Sequence, residues 1–290
     1  MTLEQIDRAL SRLQAAGVAS PEADAWHLLS FATGISRGEL HAQAIAGRLE
    51  LSAEVLDRFD EVVSRREQRE PLWHITGLAP FLNLELSVGP GVFTPRPETE
   101  LLAEQARTEL ELMPPRDGVI QVVDLCAGSG AIGLAIAHSS PHAQVLAVEV
   151  SPEASDYLRS NVARLAPESV EILIGDVSDV IGVRGEGSVD LVVSNPPYLV
   201  EGVDELDAET RESDPDIALF ADQRGLAVID TVIAVSSTLL RDGGVVLIEH
   251  GIDHAAEVRE ILGGSGFARV ETMTDLLGRP RFTRAERARR

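Results

Sequence analysis

Apolar side chains recur at Leu3, Ile6, Leu10 and Leu13, the spacing of a helix with one buried stripe. Thr2-Leu3-Glu4-Gln5 fits a capping box at its start. Ser20-Pro21 places a hydroxyl before a proline at a first helical position. Ser52 opens a further helix with Val55, Leu56, Phe59, Val62 and Val63 on one face and Pro71 beyond its end. The first 70 or so residues are therefore predicted to be a small helical bundle. The period changes at 72–88, where Phe81-Leu82-Asn83-Leu84-Glu85-Leu86-Ser87-Val88 alternates as a half-buried strand does. Paired with 72–75 it would form a hairpin linking two domains. Pro90, Gly91, Pro95 and Pro97 then stiffen a loop, and Glu98 begins a helix.

After Met113-Pro114-Pro115 buried strands alternate with helices. Strands are predicted at 119–125, 144–150, 170–174, 189–194 and 244–249, with helices at 131–137, 152–164 and 225–240. This rhythm implies an α/β domain with a mostly parallel sheet covered on both faces. Segments 268–274 and 281–283 read as an antiparallel closing pair. The division expected is a helical domain over 1–70, a β-hairpin linker over 71–93 and a catalytic domain over 94–290.

Composition changes the picture in three ways. A net charge of −22 over 290 residues repels phosphate backbones and anionic headgroups, so neither direct nucleic-acid binding nor membrane binding is expected. All 25 basic residues are arginine, which excludes a P-loop lysine and a pyridoxal Schiff base. One cysteine, Cys126, excludes a disulfide framework and a thiolate cluster. The start Met1-Thr2-Leu3-Glu4-Gln5 lacks a signal-peptide pattern, and no apolar run approaches the roughly 18 residues that span a bilayer, so a cytoplasmic protein is expected. The arginine-rich 279–290 tail and the carboxylate-rich 204–216 segment read first as solvated charged stretches.

Asp124-Leu125-Cys126-Ala127-Gly128-Ser129-Gly130-Ala131-Ile132-Gly133 lies between the first predicted strand of the α/β region and its helix. Glycines there let the backbone turn and approach a ligand. Gly128, Gly130 and Gly133 satisfy a dinucleotide fingerprint, and Glu149 stands about 20 residues on, where a ribose-binding acid belongs. The motif alone does not separate NAD from S-adenosyl-L-methionine, since both carry adenosine. Cys126 reads as a small packed residue, having no cationic partner in sequence. Gly175-Asp176-Val177, after the next strand but one, is the place for adenine and equally reads as a simple turn.

Val189-Asp190-Leu191-Val192-Val193-Ser194 runs into Asn195-Pro196-Pro197-Tyr198. Two prolines fix two φ angles and remove two N–H groups, so local carbonyls are left to accept from a ligand. Asn195 offers a side-chain oxygen beside the Pro196 carbonyl, and Tyr198 a flat face. Two acceptors that hold both hydrogens of a planar NH2 group would aim its lone pair at a methyl donor. Asn195, Pro196 and Tyr198 are the expected catalytic residues, with Pro197 completing the substrate-binding loop.

This loop occurs in glutamine-amide methyltransferases and in amino-methyltransferases of adenine or cytosine. Gly91-Val92-Phe93-Thr94-Pro95-Arg96-Pro97-Glu98-Thr99-Glu100 narrows the choice, because it resembles the signature of the peptide chain release factor glutamine methyltransferases (the HemK/PrmC family). The likeness extends to Asp275-Leu276-Leu277-Gly278-Arg279. It implies a Rossmann-like class I methyltransferase domain behind a helical domain and a hairpin. It also implies methylation of the glutamine in the Gly-Gly-Gln motif of class 1 release factors, with S-adenosyl-L-homocysteine as the second product. By match of motif, Cys126, Ala127, Gly128, Ser129, Gly130, Glu149 and Val177 would line the cofactor. Phe93 would cover the adenosine, Asp176 and Asn195 would also face the cofactor, and 195–198 would hold the glutamine. Glu149 stands where Asp is commoner, Asp214-Pro215 replaces Glu-Pro, and Glu249-His250-Gly251 replaces Glu-Ile-Gly.

Arg96, between two prolines, reads either as a carboxylate holder or as a ligand contact. His250 and His254 are four apart, but Gly251 between them breaks a helix and no third ligand is placed, so no metal is expected. The remaining alternatives are a nucleic-acid amino-methyltransferase, which needs a basic channel, and an NAD-dependent oxidoreductase, which lacks a Tyr-x-x-x-Lys set here.

Overall fold

The computed structural model describes residues 2–289 except Glu205, Asp207 and Gln223, and of Thr2, Leu3 and Ala208 it describes the backbone only. The predicted capping role of Thr2, the place of Leu3 on the apolar stripe, and Met1 and Arg290 lie outside the described residues. The chain divides into one unit formed by Met1–Leu78 with Leu206–Ser213, and a second formed by Ala79–Glu205 with Asp214–Arg290.

In the first unit α1 (Thr2–Ala15), α2 (Pro21–Thr33), α3 (Arg37–Ile45) and α4 (Ala53–Glu67) enclose Leu13, Leu28, Leu29, Leu40, Phe59 and Val63. Ser52 caps α4 by accepting from the Val55 amide at 3.3 Å. Ser20 does not cap α2: its carbonyl accepts from Asp24, while its hydroxyl makes no capping bond. The 72–75 segment is not a strand but α5 (Leu72–Thr76), stopped by Gly77 in the left-handed region at φ 74°. Buried Arg66 donates to Asp24 at 2.7 Å and to Glu209 at 3.0 Å, and Arg69 donates to Glu209 at 2.8 Å. Glu209 belongs to α10 (Ala208–Ser213), a helix that the chain contributes long after leaving this bundle.

The second unit opens with a hairpin of β1 (Leu78–Phe81) and β2 (Leu84–Ser87). The predicted continuous 81–88 strand is split, because Leu82 takes φ 51° and turns the chain with Asn83. Then follow α6 (Pro97–Leu112), β3 (Ile120–Leu125), α7 (Ala131–Ser139), β4 (Ala143–Glu149), α8 (Pro152–Leu165), β5 (Val170–Ile174), α9 (Val180–Val183) and β6 (Val189–Ser194). After α10 come α11 (Asp216–Leu219), α12 (Ala227–Leu239), β7 (Leu240–Glu249), α13 (Ala255–Gly264), β8 (Phe267–Thr274) and β9 (Pro280–Arg287). Among the described residues one sheet holds seven strands in the order β5-β4-β3-β6-β7-β9-β8. The first five are parallel, and β9 runs antiparallel to both β7 and β8. Val123, Leu125, Val192, Val246 and Ile248 pack with Ile229, Ile233 and Leu239 of α12 in the core.

One predicted helix end moves, and two charged segments turn out to be structural. Leu240 leaves the helix, because it pairs with Val189 ahead of a register shift in β7. The 279–290 segment is not a solvated tail, since most of it is β9. Two of its arginines are committed: Arg284 to Glu109 at 2.7 and 2.9 Å, Arg287 to the carbonyls of Ser265 and Gly266 at 3.0 and 2.9 Å. The 204–216 carboxylates are partly structural too, through Glu209 and Asp214.

Candidate methyl-transfer site

Strand order reverses between β3 and β6, and there the two motif loops leave the same carboxyl edge of the sheet. The register pairs Leu125 with Ser194, and Ser194 Oγ donates to the Leu125 carbonyl at 2.8 Å. Cys126 and Asn195 are thus the first residues beyond the ends of neighbouring parallel strands. An open α/β sheet binds ligands at such a switch point.

The glycine loop is shaped by contacts on three sides. Gly133 has no room for a side chain, since a Cβ there would lie 2.9 Å from Asp124 Oδ2 and 3.1 Å from Val145 Cγ1. Its amide donates to Asp124 Oδ2 at 2.8 Å, which ties α7 to β3. At Gly128, with φ 57°, a Cβ would meet nothing within 4 Å, so this part of the loop faces open space. The Gly128 amide donates to Glu149 Oε2 at 2.7 Å, and the Ser151 amide donates to Oε1 at 2.8 Å. Fully buried Asn161 donates to the Ser129 carbonyl at 3.0 Å and exchanges two hydrogen bonds with Ser87 of the hairpin at 2.7 and 3.0 Å.

Burial pushes the Asp124 carboxyl up to about 7, with Glu149 adding to the rise, and its Oδ1 takes no partner among the described residues. Burial likewise pushes the Cys126 thiol up to about 12. Cys126 sits at φ 62°, and its side chain packs against the core, so it is protonated and inert as a nucleophile near neutrality. Asp176 is exposed and caps a turn by accepting from the amide and hydroxyl of Ser178 at 2.9 and 2.6 Å, which hold its carboxyl below the usual range. Val177 is buried in the core. The open face at Gly128, with a buried carboxylate beside it, fits an adenosine moiety: the outer lone pairs of Glu149 suit ribose hydroxyls.

The acceptor loop is held from behind. No backbone amide of the described residues donates to the Pro196 carbonyl, while Leu199 is fixed by Leu219 and Ala221 at 2.9 Å each. Asn195 Nδ2 donates to Thr99 Oγ1 at 3.2 Å, and Thr99 Oγ1 donates to Glu249 Oε2 at 2.8 Å. Tyr198 OH donates to Glu249 Oε1 at 3.4 Å. Burial pushes Glu249 up to about 7, although Thr99, Arg281 and Tyr198 all pull the other way. Burial also raises the Tyr198 hydroxyl, and the Glu249 charge adds to that rise. Phe93 lies under the Arg96 guanidinium, 5.2 Å from its ring centre. Of the two readings for Arg96, the carboxylate contact is present: Asp214 accepts from Arg96 at 2.5 Å and from the Thr94 amide at 3.3 Å. Asp214 thereby anchors the proline-rich loop ahead of α6.

His250 is wholly buried. It bonds the Gly251 carbonyl through Nδ1 at 2.8 Å and Thr283 Oγ1 through Nε2 at 2.8 Å. That pair of partners fits a neutral ring with the proton on Nδ1, and burial lowers its pKa. Among the described residues no three His, Cys, Asp or Glu side chains are grouped to hold a metal. Sequence reasoning quoted Thr99, Glu249, Asp124 and Asp214 within motifs but gave them no partner, and it missed Asn161; their partners lie 9 to 150 positions away along the chain.

The sheet order and the two loops at its switch point are those of a Rossmann-like methyltransferase. The family description "Methyltransferase small domain" matches residues 86–211, and "PrmC N-terminal domain" matches residues 4–77. The chain is 45% identical to the release factor glutamine methyltransferase of Mycolicibacterium smegmatis, over 98% of this chain and 97% of that one. Identity is 41% to that of Streptomyces coelicolor (99% of each) and 36% to that of Escherichia coli (95% of each). This protein belongs to the release factor glutamine methyltransferase family. Among solved structures it resembles the T. thermophilus 16S rRNA N2 G1207 methyltransferase in complex with AdoMet and guanosine. That match has a TM-score of 0.51 and 25% identity, over 73% of this chain and 50% of the other. The ribosomal protein L11 methylase of Lactobacillus delbrueckii shares the fold, with a TM-score of 0.50 and 18% identity over 70% and 84%.

Proposed function

We propose that this protein methylates the side-chain amide nitrogen of the glutamine in the Gly-Gly-Gln motif of class 1 release factors, in the cytoplasm. The observation that carries the reading is the adjacency of two loops on neighbouring strands, an open glycine turn beside a buried acid and a proline-stiffened acceptor corner. Residues 126–130, Glu149, Asp176, Val177 and Phe93 would hold S-adenosyl-L-methionine, whose sulfonium would supply an electrophilic methyl, with the carbon–sulfur bond breaking to leave the neutral thioether S-adenosyl-L-homocysteine. Asn195 Oδ1 and the Pro196 carbonyl accept the two hydrogens of the glutamine amide, and the Tyr198 ring lies against its plane. An amide nitrogen is a weak nucleophile because its lone pair is delocalised. Turning both hydrogens toward the loop directs the nitrogen at the methyl, and the same two oxygens favour the positive charge that develops before one N–H proton passes to water. No strong base is required for this step. Residues 1–70 read as the partner-binding domain, 71–93 as the linker and 94–290 as the catalytic domain.

The net charge of −22 argues against the nucleic-acid reading of the same loop, and the absence of lysine, hence of a Tyr-x-x-x-Lys set, against an NAD-dependent oxidoreductase. Incubation of the enzyme with S-adenosyl-L-methionine and a purified class 1 release factor, followed by peptide mass spectrometry, tests the reading. The Gly-Gly-Gln peptide is expected to gain about 14 mass units, a CH3 in place of one amide hydrogen. An unmodified glutamine would overturn the substrate assignment.

A further inference from the structure

Asn195 can accept from a substrate amide in only one of its two side-chain orientations, since a half-turn would present NH2 instead. The Thr99 hydroxyl, in the first turn of α6, decides between them. It has one proton, and that proton goes to Glu249 Oε2 at 2.8 Å. Its oxygen retains only lone pairs, so it must accept, and Asn195 Nδ2 donates to it at 3.2 Å. The Asn195 oxygen is thereby turned away from Thr99 and left for the substrate. We infer that Thr99 and Glu249 are positioning residues, a buried carboxylate and a hydroxyl relay that lock the Asn195 amide in its accepting orientation.

This inference rests on the proposed grip of Asn195 on the glutamine. Both relay groups are nearly inaccessible, at 3% exposure each, so no bulk water competes for the hydroxyl proton. The groups that face Glu249 are Thr99 and Glu98 from α6, Tyr198 from the acceptor loop and Arg281 from β9. Against these, burial holds the Glu249 carboxyl near 7. Above that value Glu249 only accepts, and the relay has a single polarity. Below it the protonated carboxyl can donate to Thr99, Thr99 can donate to Asn195 Oδ1, and the lock is released. Turnover is therefore expected to rise as pH rises through about 7.

The direct test is the Asn195 side-chain NH2 signal in 15N-labelled protein, identified by its loss in Asn195→Ala. In the native chain it is expected to shift with a midpoint near 7, and in Glu249→Gln to stay flat across the same range. An Asn195 signal at pH 8 that is the same in Glu249→Gln as in the native chain overturns the relay. Thr99→Val should lower kcat roughly 10–100-fold with cofactor affinity nearly unchanged, and Thr99→Ser should restore most of it. Full turnover in Thr99→Val, or no rescue by Ser, overturns the role of the hydroxyl. The nuclear magnetic resonance measurement needs no release factor, so failure of the substrate assignment and failure of the relay are read separately.

Discussion

Both carboxylate oxygens of Glu149 already hold backbone amides, Gly128 at 2.7 Å and Ser151 at 2.8 Å, before any ligand is considered. The same side chain therefore shapes the glycine turn and presents its outer lone pairs to a ribose. Glu149→Gln replaces one acceptor oxygen with a donor that faces an amide, so the turn and the ligand contact are both disturbed. Hydrogen bonds to a charged group contribute about 1.5–3 kcal/mol, so affinity for S-adenosyl-L-homocysteine is expected to fall by roughly 10- to 100-fold. Titration calorimetry measures this directly, and an unchanged affinity contradicts the role. Cys126 gives a contrasting expectation. With its thiol pushed up to about 12, it should resist iodoacetamide at pH 7.5 in the folded protein and react once the chain is unfolded. Intact-mass spectra before and after urea check it.

At the scale of elements, the site depends on how closely helices and loops approach the sheet. Gly133→Ala would press a methyl to 2.9 Å of Asp124 Oδ2 and 3.1 Å of Val145, forcing α7 off β3. Overpacking of this kind costs about 1–3 kcal/mol, to be read from urea midpoints. Asn161 joins the hairpin at Ser87 to the cofactor loop at Ser129, so Asn161→Ala should lower both stability and cofactor affinity, whereas a purely structural link would move stability alone. Alternating strands and helices were legible in the chain because a short apolar run between turn residues reads as a buried strand, as at Val189–Ser194, which is buried at every position. The loops 126–130 and 195–198 were legible because glycine and proline declare backbone geometry. The 72–76 helix was not, since five residues carry too little periodicity to separate helix from strand. Nor were Thr99 and Glu249, 150 positions apart, whose pairing depends on α6 lying beside the end of β7. Leu82 shows the same limit locally: the turn needs φ 51° at a residue type that rarely adopts it.

For the whole molecule, two buried carboxyls set an expectation for stability against pH. Asp124 and Glu249 are each raised to about 7, whereas unfolded carboxyls titrate near 4. Between those values the folded chain keeps protons that the unfolded chain releases, so their contribution is full below about 4 and is lost as pH rises through 7. Buried His250, whose pKa is lowered, acts in the opposite sense and penalises folding as pH falls below its unfolded value of about 6.5. Asp124→Asn is expected to flatten the decline in urea midpoint between about pH 4 and 7, and an unaltered slope would remove Asp124 from this contribution. The net charge of −22 further predicts no gel shift of RNA or DNA at moderate salt. The central claim is that the corner at 195–198 grips the acceptor amide while the glycine loop separately holds the methyl donor. Asn195→Ala, studied with a release factor as acceptor, tests it most directly by pairing single-turnover rates with calorimetric cofactor affinity. The account predicts a cofactor dissociation constant within a few-fold of native and a turnover reduced by roughly 100-fold or more. Native turnover in that variant, or cofactor binding lost in step with the rate, would contradict it.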